Sequence, residues 1–254
     1  MAADPPTMKV ETDAPGLARL SGRRIIVTGA ASGIGRRTAQ LFAAEGARLG
    51  LLDMDADGVT TTARDVSGAG YPVDITDEAA VQNVIEQAAA ELGGIDGLVN
   101  AAGIMIVGPL AQMPAERFRK VIEVNLTGTY IVVRACLPWL AQNTPATVVN
   151  IGSAQGLLPN APGHTAYAAS KGGVVNISRA LAAELAPEIR VNSVCPGMVD
   201  TPMAQGFKAN VGNYALRRLA DPAEIARAIL FLTSAESSYV TGATLAVDGG
   251  RSFH

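Results

Sequence analysis

The sequence predicts an α/β fold: a single doubly wound domain built on a parallel sheet of about seven strands with helices on both faces. Three observations carry this. From Arg24 onward short apolar runs alternate with helix-length segments, and the runs are continuously apolar, as strands covered on both faces are. No repeat, low-complexity tract or composition break divides the chain, and 254 residues at 48% hydrophobic suffice for one sizeable core. The strands expected are Ile25 to Thr28, Leu49 to Leu52, Tyr71 to Val73, Gly97 to Val99, Thr147 to Ile151, Arg190 to Val194 and Thr244 to Val247.

Taken in order, residues 1–20 mix prolines, acids and lone apolar residues without a period, and read as a flexible extension before a folded domain over 21–254. Asp4, Glu11 and Asp13 argue against a transit peptide, and no basic-then-apolar signal opens the chain. The first strand runs into Thr28-Gly29-Ala30-Ala31-Ser32-Gly33-Ile34-Gly35 and then a helix. Gly29 allows the tight exit, Gly33 lets backbone N–H groups approach a pyrophosphate, and Gly35 permits close helix-sheet packing. A plain strand-helix turn would read the same way, and the Gly-x-x-x-Gly-x-Gly spacing departs from the usual dinucleotide fingerprint.

Asp53 closes the second strand, 18 residues past Gly35, where an acid can accept both ribose hydroxyls of an adenosine. That points to NAD, because a 2′-phosphate would meet a carboxylate. Arg36, Arg37 and Arg48 keep an NADP reading open, and capping the next helix is an alternative role for Asp53 that Asp55 could fill. Pro114 to Gln142 reads as one long helix, with Asn125 as a polar residue in need of hydrogen-bond partners at its middle. Asp221-Pro222-Ala223-Glu224 opens another helix with cap, proline and acid in register.

If Tyr167 to about Leu185 form a helix, a spacing of four sets the Tyr167 phenol and Lys171 ammonium a turn apart on one face. Bringing a tyrosine from its usual pKa to about 7 takes roughly 4 kcal/mol, which a desolvated ammonium and a cationic cofactor could supply. The spacing alone says little: Tyr130 and Arg134 share it and read as a helix-surface pair. What distinguishes Tyr167 is the preceding Ser153, the glycine loop, and Gly172-Gly173, which admit a close backbone neighbour. His164 competes for acid-base duty, though its Pro- and Gly-rich loop makes it a rim residue.

A net charge of −3 gives no basic footprint, so nucleic acid is not expected as a partner. Cys136 and Cys195 sit in apolar runs as buried thiols, which fits a reducing, cytoplasmic compartment. No apolar run approaches the ~20 residues that span a bilayer, so no membrane partner is expected. Two histidines, two cysteines and no clustered carboxylates argue for no metal site.

From about Leu20 to the C-terminus the sequence resembles a classical short-chain dehydrogenase/reductase. The motifs that carry the likeness are the loop from Thr28 to Gly35, Asn100-Ala101-Ala102-Gly103, Asn125, Ser153, Tyr167 with Lys171, and Pro196-Gly197. The Asn-Ala-Ala-Gly form and the 14-residue step from Ser153 to Tyr167 depart from the commonest pattern, the latter in the loop beside the substrate. The resemblance implies a Rossmann-like catalytic domain that moves a hydride between a nicotinamide cofactor and a carbinol carbon. Tyr167 would be the general base or acid, Ser153 would hold the substrate oxygen, and Lys171 would lower the tyrosine and reach the nicotinamide ribose. Asn125 would anchor a proton-relay water.

For the cofactor the resemblance implies contacts at Gly29, Ser32, Gly33, Ile34, Gly35, Asp53, Met54, Asn100, Ala101, Gly103, Pro196, Gly197, Val199 and Thr201, besides Tyr167 and Lys171. Asp74 would meet the adenine amine, with Ile75 covering the ring; Asp74 could equally be a turn acid, and Asn100 a structural residue. Ile104, Met105, Ile106, Val107, Leu157, Leu158, Met198 and Met203 would wall an apolar substrate pocket with Gln155 as its polar contact, and Pro202 to Arg218 would form a lid. The expectation is an NAD-dependent enzyme for a hydrophobic secondary alcohol or its ketone, assembled as a homotetramer or homodimer through its long helices. The rivals are an NADPH-dependent β-ketoacyl-carrier reductase, against which Asp53 and the apolar stretch after Gly103 count, and a non-catalytic dinucleotide sensor.

Overall fold

The computed structural model describes residues 17–205 and 211–252. The expected extension up to residue 16, and residues 206–210 of the expected lid, lie outside the described residues. Seven strands form the sheet: β1 (Arg24–Thr28), β2 (Arg48–Asp53), β3 (Ala69–Pro72), β4 (Gly97–Asn100), β5 (Ala146–Ile151), β6 (Ile189–Pro196) and β7 (Thr244–Val247). They pair in the order β3-β2-β1-β4-β5-β6-β7, every pair parallel. Each expected strand is present, with ends within two residues of those read from the sequence.

Successive strand residues point to opposite faces, so neighbours enter different cores. Ile25 and Val27 pack with Phe42 of α1 (Gly33–Ala44), Val59 of α2 (Ala56–Asp65) and Ile225 and Ile229 of α8 (Pro222–Thr233). Ile26 packs on the other side with Val81 and Ile85 of α3 (Glu78–Leu92), Val132 and Leu140 of α5 (Gly128–Gln142) and Ala182 of α7 (Thr165–Leu185). Asp55 caps α2 by accepting from Gly58 N at 3.0 Å, which frees Asp53 from that duty. Asp221 and Glu224 close the expected capping box of α8.

The long helix expected from Pro114 to Gln142 is divided. It begins as α4 (Ala115–Ile122), passes through a π-helical turn at Glu123–Thr127, and continues as α5. The wide turn holds Asn125, fully buried, at the level of the sheet's carboxyl edge. Tyr130 and Arg134 stand on the surface of α5 as expected, Tyr130 46% exposed and Arg134 reaching across to an ion pair with Glu78 of α3. β1 and β4 are adjacent but are followed by helices on opposite faces, so the carboxyl ends of these strands open a crevice at the switch in winding.

Candidate active site

The glycine loop lines this crevice. Gly29 leaves β1 with φ of 67°, and a Cβ there would lie 2.6 Å from Ala102 N, so β1 and the segment after β4 touch through bare backbone. A Cβ on Gly35 would lie 2.1 Å from Gly29 O, which leaves only glycine to seat α1 on the strand exit. Gly33, at φ of 53°, faces Thr201. Ser32 stands at the N-cap without a side-chain capping bond, and no acid lies in the first turn, so the helix start keeps its N–H donors for an anionic ligand. Asp53 Oδ2 accepts from Ala31 N at 3.0 Å and Oδ1 from Asp55 N at 3.0 Å, holding the carboxylate beside the loop with lone pairs to spare. These features fit a dinucleotide.

Deeper in the crevice, Ser153 ends the turn after β5 and caps α6 (Ala154–Leu157), its Oγ accepting from Gln155 N at 3.1 Å. Tyr167 and Lys171 stand one turn apart on α7, with Lys171 Nζ 5.9 Å from the phenol centroid. Nζ donates to Ile151 O at 2.7 Å, and burial pushes the ammonium down to about 8. Burial also raises the Tyr167 phenol, and a side-chain hydrogen bond with Ser153 pulls the other way. Within the protein alone desolvation dominates at Tyr167, whereas the expected acidification draws on a cationic cofactor as well as Lys171.

Asn125 lies behind this pair. Its Oδ1 accepts from Ile104 N at 2.8 Å, and its Nδ2 donates to Ile104 O and Ser170 Oγ, each at 2.9 Å. Both amide protons are thus engaged with the protein. A Cβ on Gly103 would lie 3.2 Å from Asn125 Oδ1 and 3.4 Å from Lys171 Nζ, so the three residues meet at one point. The close neighbours expected near Gly172-Gly173 are Gly156 of α6, whose Cβ would lie 2.7 Å from Lys171 C, and Leu126, 2.7 Å from a Cβ on Gly173.

One cavity of about 260 Å³ gathers most of the expected site. Ser153, Gln155, Tyr167 and Lys171 line it together with Ile34, Ala101, Gly103, Pro196, Gly197, Val199 and Thr201, and with Met105, Met198 and Met203. Gln155 Oε1 is buried without a protein partner, as a substrate-binding acceptor would be. Ile104, Ile106, Val107, Leu157 and Leu158 do not line it. Asn125 holds the Ile104 backbone, and Leu157 and Leu158 end the short α6 that Ser153 caps. Asn160, Pro162 and His164, from the lengthened loop, form a wall, and His164 is the expected rim residue.

One cofactor expectation is corrected in detail. Ile75 is 6% exposed, and its side chain packs under Gly128 within the core, so it does not present a face to an adenine. Asn100 is 3% exposed; its Nδ2 ties β4 to β5 through Asn150 Oδ1 at 2.9 Å, the structural role the sequence left open, while its Oδ1 has no protein partner. Asp74 stays exposed, held below the usual carboxylate range by the Thr76 backbone N–H; Met54 is 73% exposed. Among the polar cavity residues, Asn213, Tyr214 and Arg251 were not singled out in the sequence. Tyr214 sits inside the stretch read as a lid, whereas Arg251, beyond the last strand, has no local signal. Among the described residues no group of three or more His, Cys, Asp or Glu could hold a metal, and no helix is long and apolar enough to cross a membrane. Cys136 and Cys195 are free and buried, as expected.

A family model described as "Enoyl-(Acyl carrier protein) reductase" matches residues 29–252. A 3-oxoacyl-acyl-carrier-protein reductase of Thermotoga maritima is 39% identical over 91% of this chain and 98% of its own. A cis-4-hydroxycyclohexanecarboxylate dehydrogenase of Sinomonas cyclohexanicum is 40% identical over 90% and 96%. The structure of a 3-ketoacyl-acyl-carrier-protein reductase of Brucella melitensis complexed with NADH superposes with a TM-score of 0.88 at 34% identity, covering 92% of this chain and all of the other. With these likenesses spanning nearly its whole length, the chain belongs to the classical short-chain dehydrogenase/reductase family, oxidoreductases that act on CH–OH groups with a nicotinamide dinucleotide.

Proposed function

We propose that the protein is an NAD(H)-dependent oxidoreductase that interconverts a hydrophobic secondary alcohol, cyclic, aromatic or hydroxyacyl, and its ketone. The observation that carries this reading is the convergence of Ser153, Tyr167 and Lys171 on a largely apolar cavity that also receives the start of α1. The bound cofactor supplies or accepts the hydride. Gly29, Ser32, Gly33, Ile34 and Gly35 would hold its pyrophosphate, Asp53 and Met54 its adenosine ribose, and Asp74 its adenine. Ala101, Gly103, Pro196, Gly197, Val199 and Thr201 would border its nicotinamide half.

Tyr167 Oη takes the proton from the substrate hydroxyl in oxidation and returns it in reduction. Ser153 Oγ holds the substrate oxygen, and Gln155 contacts the rest of the substrate. Lys171 fixes positive charge beside the phenol. Asn125 is a positioning residue, holding the Ile104 backbone and α7 in register through Ser170 rather than presenting its amide to a relay water.

Three features support NAD over NADP. Asp53 is not consumed by helix capping, Met54 beside it carries no charge, and the nearby arginines have other partners. Arg36 Nε donates to Thr62 Oγ1, Arg37 bonds Gln40, and Arg48 bonds the Glu91 carbonyl. The Thermotoga relative favours a second reading, reduction of a β-ketoacyl group on a carrier. The test is to mix the protein with NAD or NADP and a panel of secondary alcohols, or with the reduced cofactors and ketones including a β-ketoacyl thioester, and to follow the reduced nicotinamide. Turnover of alcohols with NAD supports the proposal. Turnover confined to NADPH and the thioester selects the second reading, and cofactor binding with no turnover selects a sensor. We further infer a homotetramer or homodimer, because Phe118 and Tyr130 of α4 and α5 stand exposed on the single chain, and a cytoplasmic location, because Cys136 and Cys195 are free thiols; light scattering on the eluted protein gives the mass.

A further inference from the structure

The cavity carries a cation that the alcohol chemistry does not use. Arg251 lies four residues past β7, only 7% exposed, and lines the cavity with Tyr214 and Asn160. Its guanidinium donates to Asn160 Oδ1 and stands 6.0 Å from the Tyr214 ring centroid, with a further side-chain hydrogen bond to Tyr214. All of these partners are neutral.

Asp248, the nearest acid along the chain, is engaged elsewhere. Its Oδ1 accepts from Gly250 N at 3.0 Å, and its Oδ2 from Ser252 N at 2.9 Å and Ser252 Oγ at 2.5 Å. Among the described residues Arg251 forms no ion pair, and no aspartate or glutamate lines the cavity, whose other cation is Lys171. A guanidinium withdrawn from water whose acceptors among the described residues are all neutral is short of counter-charge, and its planar fork matches a carboxylate in two parallel hydrogen bonds.

Building on the proposed alcohol-ketone chemistry, we propose that Arg251, with Tyr214 and Asn160, forms an anion-binding end of the substrate cavity. The substrate is then a compact hydroxy acid or keto acid whose carbinol oxygen meets Ser153 and Tyr167 while its carboxylate meets Arg251. The alternative is that Arg251 only pins the C-terminal turn to the loop at Asn160, in which case acids and neutral analogues respond alike to its loss.

The test uses matched probes: lactate, 3-hydroxybutyrate and 4-hydroxycyclohexanecarboxylate, each against its methyl ester. The expected result is a kcat/KM at least about tenfold higher for one or more acids than for the matching ester, a ratio that collapses in Arg251→Met and partly recovers in Arg251→Lys. Calorimetry of the NADH-saturated protein supplies a second reading: cyclohexanecarboxylate, which carries no hydroxyl to oxidise, binds at least about tenfold tighter than cyclohexanecarboxamide. Both comparisons on the unaltered protein need no variant, so a poorly folding Arg251→Met leaves them intact. Acids that turn over no better than esters, with carboxylate bound no better than amide, overturn the anion site while the dehydrogenase reading stands. No turnover of any alcohol or ketone sinks the dehydrogenase reading, and calorimetry still decides the anion site.

Discussion

As the proposed general base, Tyr167 would have to lose a proton in surroundings that favour keeping it. Burial raises the phenol, and within the protein the hydrogen bond with Ser153 is the first opposing influence. Ser153→Ala should therefore shift the ascending limb of kcat/KM for alcohol oxidation to higher pH as well as slow the reaction. An unmoved limb would mean that Ser153 only positions substrate. Tyr167→Phe removes the proton acceptor, so kcat should fall about 10²–10⁴-fold while NADH still binds, read by its fluorescence. Lys171 obeys the opposite sign. Its folded pKa of about 8 lies below the unfolded value of ~10.4, so below about 8 the full cost of burying the ammonium is present, and stability grows as pH climbs through that window. The gain amounts to at most about 3 kcal/mol, and Lys171→Met should flatten the rise in urea midpoint between the two pH values.

At the scale of elements, the π-helical turn at Glu123–Thr127 is the piece that joins fold to site. A regular helix through this stretch would rotate Asn125 away from Ile104 and Ser170, whereas the wide turn seats it between the segment after β4 and α7. Asn125→Ala would leave the Ile104 N–H and carbonyl short of a partner, while the Ser170 hydroxyl keeps its bond to the Tyr167 carbonyl. Since each buried unsatisfied group costs about 1–3 kcal/mol, the loss should be about 2 kcal/mol or more, measured by denaturant unfolding. The same variant should lower kcat more than it raises KM for NAD, because Gly103 and Lys171 meet at Asn125 while the glycine loop does not touch it. A variant of normal stability and rate would remove Asn125 from the account of the site.

Across the whole molecule, what the sequence made legible follows the range over which its signals act. Strands and the glycine loop announce themselves within a few residues, and Tyr167 and Lys171 are set by one helical turn, so all were readable. The π-helical turn was not, because Asn125 finds its partners 21 and 45 residues away. Arg251 was hidden for the same reason, since it meets Asn160 across 91 residues of chain. The sheet also has a second end, opposite the site, which no motif marked. There Asp96 accepts from Arg24 Nε at 3.0 Å and pairs with Arg23 Nε, and Arg23 goes on to the Thr147 hydroxyl at 3.0 Å and the Thr233 carbonyl at 3.1 Å. One carboxylate thus joins the starts of β1, β4 and β5 to the end of α8, while every catalytic candidate sits at the strands' other ends. Asp96→Ala strands two arginines that are 22% and 25% exposed, so the cost should fall near the low end of that for a broken buried pair, about 3 kcal/mol, or roughly 6–12 °C in Tm for a domain of this size. Well below the melting point, kcat and the KM for NAD should match the unaltered enzyme. A loss of turnover without a loss of stability would show that the two ends of the sheet are coupled, and that the division of labour argued here is wrong.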